Sequence, residues 1–202
     1  YDGLHTCAAM NSCGAGETSV KKSRFELNEH SDKGEIPQTV IGQGNTLMTP
    51  FHNALLMCAV ANDGVLMKPY VIDHIEGADN TTIKENIPEI YADLMSKKDA
   101  KKLQKMLREV VTDGTGYSLD TDLYTAAGKT GTAENEGKYA HAWFVGYSNV
   151  EDPDLVVCVL VENTGAGSKY AVPIAKKIFN SYYNNNMKEY YGEKKNTAQS
   201  DE

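Results

Sequence analysis

Residues Tyr124 to Glu162 read YTAAGKTGTAENEGKYAHAWFVGYSNVEDPDLVVCVLVE, and this stretch decides the fold. Tyr124 to Thr132 is a strand, and Ala142 to Tyr147, with Trp143, Phe144 and Val145, is the next. Asp152-Pro153-Asp154 turns the chain into Leu155 to Glu162, a continuous apolar run of the kind that fills a buried central strand. Sequential strands joined by short polar loops predict an antiparallel meander.

Helical signals flank the meander. Upstream, Thr49-Pro50 is an N-cap followed by a residue suited to the first helical position, and Asn53 to Ala61 continues as a buried helix. Asn62-Asp63-Gly64 ends it, with Gly64 the expected left-handed stop. Val65 to Ile75 reads as extended and is interrupted at Pro69; a polar loop through Asp79-Asn80-Thr81-Thr82 follows. Ser96 and Asp99 cap a second helix, whose expected apolar face is Leu103, Met106, Leu107, Val110 and Val111. Its lysines (Lys98, Lys101, Lys102, Lys105) read as a solvated outer face, and Gly114 and Gly116 break the chain after it. Downstream, a helix runs from Tyr170 to Tyr183 with Ile174, Ile178 and Tyr182 on one face. Helices packed on an antiparallel sheet make the fold class α+β.

Tyr1 to Lys33 is irregular apart from a short strand at Ser23 to Leu27, and beyond Asn184 the chain becomes polar. The expected organisation is an irregular segment at 1–34, one domain at 35–186 and a polar, disordered tail at 187–202. The chain has 202 residues, 41% hydrophobic and 24% charged, enough for a core and too apolar for global disorder. Lys and Arg total 20 against 28 Asp and Glu, for a net charge of −8. That balance argues against a nucleic-acid partner, whose phosphates call for surplus cations. No run reaches the roughly 18 apolar residues of a membrane span. The first residue is Tyr1, so an upstream segment is expected, and any anchor would lie there. Cys7 and Cys13 either pair or stay free, without metal-ligand spacing, while Cys58 and Cys158 read as small buried hydrophobes. No cofactor or metal is expected.

Ala127-Gly128-Lys129-Thr130-Gly131-Thr132 carries the chemistry. It fails as a phosphate loop because the required first Gly is Leu123. As a strand edge facing a substrate, Lys129 would place a cation at a pocket mouth and Thr130 would offer a hydroxyl to a carboxylate. Gly131 would leave room for a peptide alongside. Taken by themselves, three such residues are better explained by an ordinary exposed strand.

Several blocks in order then resemble the transpeptidase domain of class B penicillin-binding proteins. They are Ile41-Gly42-Gln43-Gly44, Thr49-Pro50, Ala59 to Gly64 with Lys68-Pro69, and Val110 to Gly116 containing Gly114-Thr115-Gly116. Ala127 to Glu134, Ala142 to Tyr147, and Pro173-Ile174-Ala175, read as the opening of the final helix, complete the match from Glu35 to Phe179. The resemblance implies part of a β-lactamase/transpeptidase-like serine D,D-peptidase fold. It implies acyl transfer on peptidoglycan stem peptides ending in D-Ala-D-Ala, inhibition by β-lactam antibiotics, and a location on the extracytoplasmic face of a bacterial membrane. The family uses S-x-x-K, S-x-N and K-[TS]-G motifs. By resemblance Lys129 supplies positive potential, Thr130 and Gly131 bind the substrate's carboxylate end, and the Thr132 N–H is half of the oxyanion hole. A preorganised donor of that kind lowers a barrier by about 3 kcal/mol.

One departure matters. The sequence has no S-x-N, and its only S-x-x-K is Ser19-Val20-Lys21-Lys22, 110 residues before Lys129 and in a charged segment unsuited to a nucleophile. The resemblance therefore implies the C-terminal part of a transpeptidase domain, inactive without the N-terminal part of the same protein. The alternatives are a β-lactam sensor or inactive scaffold of the same fold, and a hydrolytic β-lactamase, which would match the blocks outside Lys-Thr-Gly poorly. His141, His52 and Glu134 read as surface residues, and Gln43 and Asn45 as structural ones.

Overall fold

The computed structural model describes residues 23–25 and 31–184. Ser19, Cys7, Cys13 and the 187–202 tail lie outside the described residues, as does most of the 1–34 segment. In order the elements are α1 (Glu35–Val40), α2 (Pro50–Ala61), β1 (Val65–Met67), β2 (His74–Glu76), β3 (Thr82–Glu85) and β4 (Ile90–Asp93). Then come α3 (Lys97–Thr112), a 3-10 turn (Tyr117–Leu119), β5 (Ala126–Ala133), β6 (His141–Ser148), β7 (Leu155–Val161) and α4 (Gly167–Asn184). The α+β reading holds.

The expected meander is the sheet β5-β6-β7, antiparallel throughout. Side chains alternate between its two faces. Ala126, Ala142, Phe144, Val157 and Val159 pack under α4, against Ala171, Val172, Ala175 and Phe179. On the other face Ala127 and Tyr147 meet Met57, Val60 and Ala61 of α2 and Leu107 of α3. The Phe144 ring needs the pair Gly128 and Gly146, which face each other across β5 and β6. A methyl group on Gly128 would stand 2.7 Å from the tip of that ring, and one on Gly146 2.6 Å.

Both helix starts follow the sequence: the Thr49 hydroxyl accepts the His52 N–H, and the Ser96 hydroxyl accepts the Asp99 N–H. Other expectations need correction. The left-handed stop of α2 falls on Asp63 (φ 54°), and Gly64 follows it, its N–H donating to the Ala59 carbonyl at 2.8 Å. Gly64 is also left-handed (φ 99°), with the Met95 backbone where a side chain would go. Val65 to Ile75 is not one strand: β1 pairs with β4 and β2 with β3. The polar stretch at Asp79–Thr81 lies in the tight turn of the β2–β3 hairpin, with Thr81 donating to the Asp79 carboxylate at 2.6 Å, and Thr82 opens β3. Of the Ser23 to Leu27 strand, the described part makes a single antiparallel bridge, Arg24 with Leu47.

The inward stripe of α3 is Ala100, Gln104, Leu107 and Val111, and Met106 is exposed. Gln104 belongs inside because its amide donates to the Val60 carbonyl at 2.7 Å, satisfying an end group of α2. The face chosen for α4 is also reversed. Ile174 and Ile178 are each 41% exposed, while Ala171, Val172, Ala175 and Phe179 are buried. Nor does Pro173 open α4, which begins at Gly167 and carries Pro173 inside it. The helix starts earlier because Gly167 seats directly on the sheet, where the Gly131 and Trp143 carbonyls leave no room for a Cβ. Small residues on the inner face permit that close approach.

Candidate active site

The Lys-Thr-Gly segment lies in β5, an outer strand of its sheet. Three side-chain donors identify which backbone groups face away from β6. The Arg108 guanidinium donates to the Ala126 carbonyl at 2.9 Å, Lys129 Nζ to the Thr130 carbonyl at 2.6 Å, and the Gln43 amide to the Thr132 carbonyl at 3.3 Å. In an extended strand the N–H and C=O of one residue point the same way, and alternate residues share a direction. The N–H groups of Gly128, Thr130 and Thr132 therefore also face the outer edge. α3 covers that edge at Ala126 through Arg108, which is itself paired with Asp120 at 2.9 Å.

Pleating puts Lys129 and Thr130 on opposite faces. Lys129 is exposed, and its ammonium curls back over the edge to the neighbouring carbonyl. Thr130 is only 9% exposed, and its hydroxyl lies 2.6 Å from that of Thr115 in the loop after α3. That loop turns tightly, the Gly116 N–H returning to the Val110 carbonyl at 2.9 Å. Gly131 sits opposite Trp143, and a methyl there would stand 3.0 Å from the Trp143 Cβ. The room left by the missing side chain is thus taken up by β6. Thr132 is exposed, and its hydroxyl accepts the N–H of Gly167, the first residue of α4, at 3.4 Å.

The structure thus gathers Lys129, Thr130 and Thr132 along one strand edge and adds Thr115 and Gln43. The resemblance implies a pocket-rim role for Gly114-Thr115-Gly116, and a helix stop explains both glycines equally well; the residue between them is the one that reaches β5. Gln43, read as structural, touches the same strand across 89 residues of sequence. Its signal was the flanking pair Gly42 (φ 76°) and Gly44 (φ 75°), a left-handed frame that fixes where one side chain points. Asn45 keeps its structural role, bonding Glu35 at 3.4 Å. His141 ties a turn, its Nδ1 accepting the Asn163 N–H at 3.1 Å, and Glu134 is exposed. His52 is half-buried, and burial lowers its pKa. Cys58 and Cys158 are half-buried free thiols, the latter pushed up to about 11 by burial. Lys101 and Lys97 pair with Asp63 at 2.9 and 2.8 Å, and Lys102 with Asp99 at 3.0 Å, as a solvated face should.

Two concavities lie elsewhere, one beside Asp63, Asp93 and Ser96 and one beside Arg108, Asp120 and Asn149; no residue of the Lys-Thr-Gly segment lines either.

Residues 9–180 match the family described as the penicillin binding protein transpeptidase domain, beginning upstream of Glu35. The chain is similar to the peptidoglycan D,D-transpeptidase PbpA of Mycolicibacterium smegmatis, with 32% identity over 72% of this chain and 31% of the relative. It is also similar to the peptidoglycan D,D-transpeptidase MrdA of Haemophilus influenzae, with 34% identity over 77% of this chain and 27% of the relative. Among solved structures, penicillin-binding protein A of M. tuberculosis as an imipenem acyl-enzyme superimposes with a TM-score of 0.69 and 30% identity. That match covers 81% of this chain and 37% of the other. The chain spans about a third of the length of these relatives. With its meander, its flanking helices and its Lys-Thr-Gly edge strand, the chain belongs to the penicillin-binding protein transpeptidase family.

Proposed function

We propose that this chain is the C-terminal part of a peptidoglycan D,D-transpeptidase and forms one wall of its acyl-transfer site. The observation that carries this reading is the outer edge of β5, where Lys129, Thr130 and the Thr132 N–H are presented together. Lys129 sets a positive potential from one face of the strand, and the Thr130 hydroxyl, on the other, binds the terminal carboxylate of a stem peptide ending in D-Ala-D-Ala. The Thr132 N–H points where the carbonyl oxygen becomes an oxyanion.

The nucleophilic Ser and its base Lys come from the N-terminal part of the same protein. The Ser oxygen attacks the carbonyl of the penultimate D-Ala, the C–N bond breaks, and the last D-Ala leaves as the protonated amine. An amine of a second stem then attacks the ester, forming the cross-link and restoring the Ser hydroxyl. A β-lactam reaches the acyl stage and stays there, and the imipenem acyl-enzyme of the M. tuberculosis relative supports that reading. The parent protein works on the extracytoplasmic face of the bacterial membrane.

The test is acylation of the longer protein by benzylpenicillin, with and without Lys129→Ala. Removing the cation should slow acylation by about a hundredfold, as loss of a preorganised electrostatic contact does. An unchanged rate would exclude Lys129 from the site.

A further inference from the structure

The Gly42-Gln43-Gly44 turn has no place in the chemistry above, yet it touches β5 next to the reacting edge. Gln43 is held by its own backbone, its N–H donating to the Gln38 carbonyl at 2.8 Å. Glycines at φ 76° and 75° flank it, so the loop presents the side chain in one direction. That direction ends on the Thr132 carbonyl, 3.3 Å from the Gln43 amide nitrogen.

Thr132 is the penultimate residue of β5, which ends at Ala133. A strand end on an outer edge frays unless something holds it. Two of the polar atoms of Thr132 are held: its carbonyl by Gln43 and its hydroxyl by the Gly167 N–H at 3.4 Å. Its N–H faces the same edge as the held carbonyl.

We propose that Gln43 is a positioning residue: it fixes the Thr132 backbone so that the Thr132 N–H stands ready as an oxyanion donor. This rests on the transpeptidase reading. Gln43 does not touch the reacting atoms. It acts by removing the freedom of the last strand residues, and a donor that must be reordered during the reaction stabilises an oxyanion less than one already in place.

The test uses the longer protein that contains this chain, with chromogenic cephalosporin acylation resolved into the dissociation constant of the first complex and the acylation rate constant. Gln43→Glu keeps the shape and loses the N–H donor; Gln43→Met keeps the length and loses all hydrogen bonding. Both should slow acylation about tenfold, the scale of one hydrogen bond. The first dissociation constant and the thermal midpoint should stay near wild type. Wild-type rates in both variants would overturn the inference while leaving the transpeptidase reading intact. So would a loss that follows the amount of folded protein, with the rate per folded molecule unchanged. A wild-type protein that takes no β-lactam would overturn the transpeptidase reading, and this inference with it.

Discussion

The hydroxyl oxygens of Thr115 and Thr130 lie 2.6 Å apart, joining the loop after α3 to the middle of β5. Thr130 is nearly buried and Thr115 is exposed, so the contact ties a nearly buried strand residue to a surface loop. Either hydroxyl can donate; under the proposed function, when Thr115 donates, the Thr130 proton is left for the substrate carboxylate. Thr115→Val should therefore slow β-lactam acylation of the longer protein by about three- to tenfold, within the range of one neutral hydrogen bond. Thr115→Ser should restore it. Stability of Thr115→Val should fall by about 0.5–1.5 kcal/mol, the net worth of one hydrogen bond, and return in Thr115→Ser, which thermal denaturation of both variants checks.

Gly146 is fixed by packing and not by backbone conformation. A methyl group there would stand 2.5 Å from the Ala127 carbonyl and 2.6 Å from the Phe144 ring. Phe144 is fully buried under α4 and has nowhere to retreat. Gly146→Ala should destabilise the fold by roughly 1–3 kcal/mol, the usual cost of overpacking. A denaturation midpoint equal to wild type would show that the Gly128–Gly146 pair does not hold the ring.

Asp63 predicts an acid-sensitive α2–α3 junction. Hydrogen bonds from Lys97 and Lys101 hold its carboxyl well below the usual 3.8, at about 2. A depressed folded-state pKa means the charged form stabilises the fold. That contribution is complete above about pH 4 and is lost as pH falls through 3.8 toward 2. Asp63→Asn tolerates the left-handed backbone at φ 54° but carries no charge. Its thermal midpoint should fall less than that of wild type between pH 4 and pH 2. Parallel curves for the two proteins would mean that the lysine pairing adds nothing to stability.

Much of this fold was legible in the sequence because its signals are local. Thr49-Pro50 and Ser96 with Asp99 are caps that need no tertiary context, and strands β6 and β7 announce themselves by apolar runs between polar turns. The inner face of α4, and Met106 on α3, depart from the sequence reading for one reason, while Leu107 and Val111 of the expected α3 face are buried. Ranking apolar residues by size favours Met106, Ile174 and Ile178. A helix lying close on a sheet instead turns small residues inward, here Ala100, Ala171 and Ala175. Gln104 was missed because the carbonyls that satisfy it come from another helix. The Lys-Thr-Gly edge could be found from its motif, whereas Thr115 and Gln43 reach β5 only through the fold, across 15 and 89 residues of sequence.

Intact-mass spectrometry after incubation with benzylpenicillin tests the central claim most directly. This chain alone should keep its mass, while the longer protein containing it should gain one penicilloyl adduct on a Ser outside these 202 residues. A stoichiometric adduct on this chain, mapped to Ser19 or any other Ser within it, would contradict the assignment of residues 1–202 to one wall of the site.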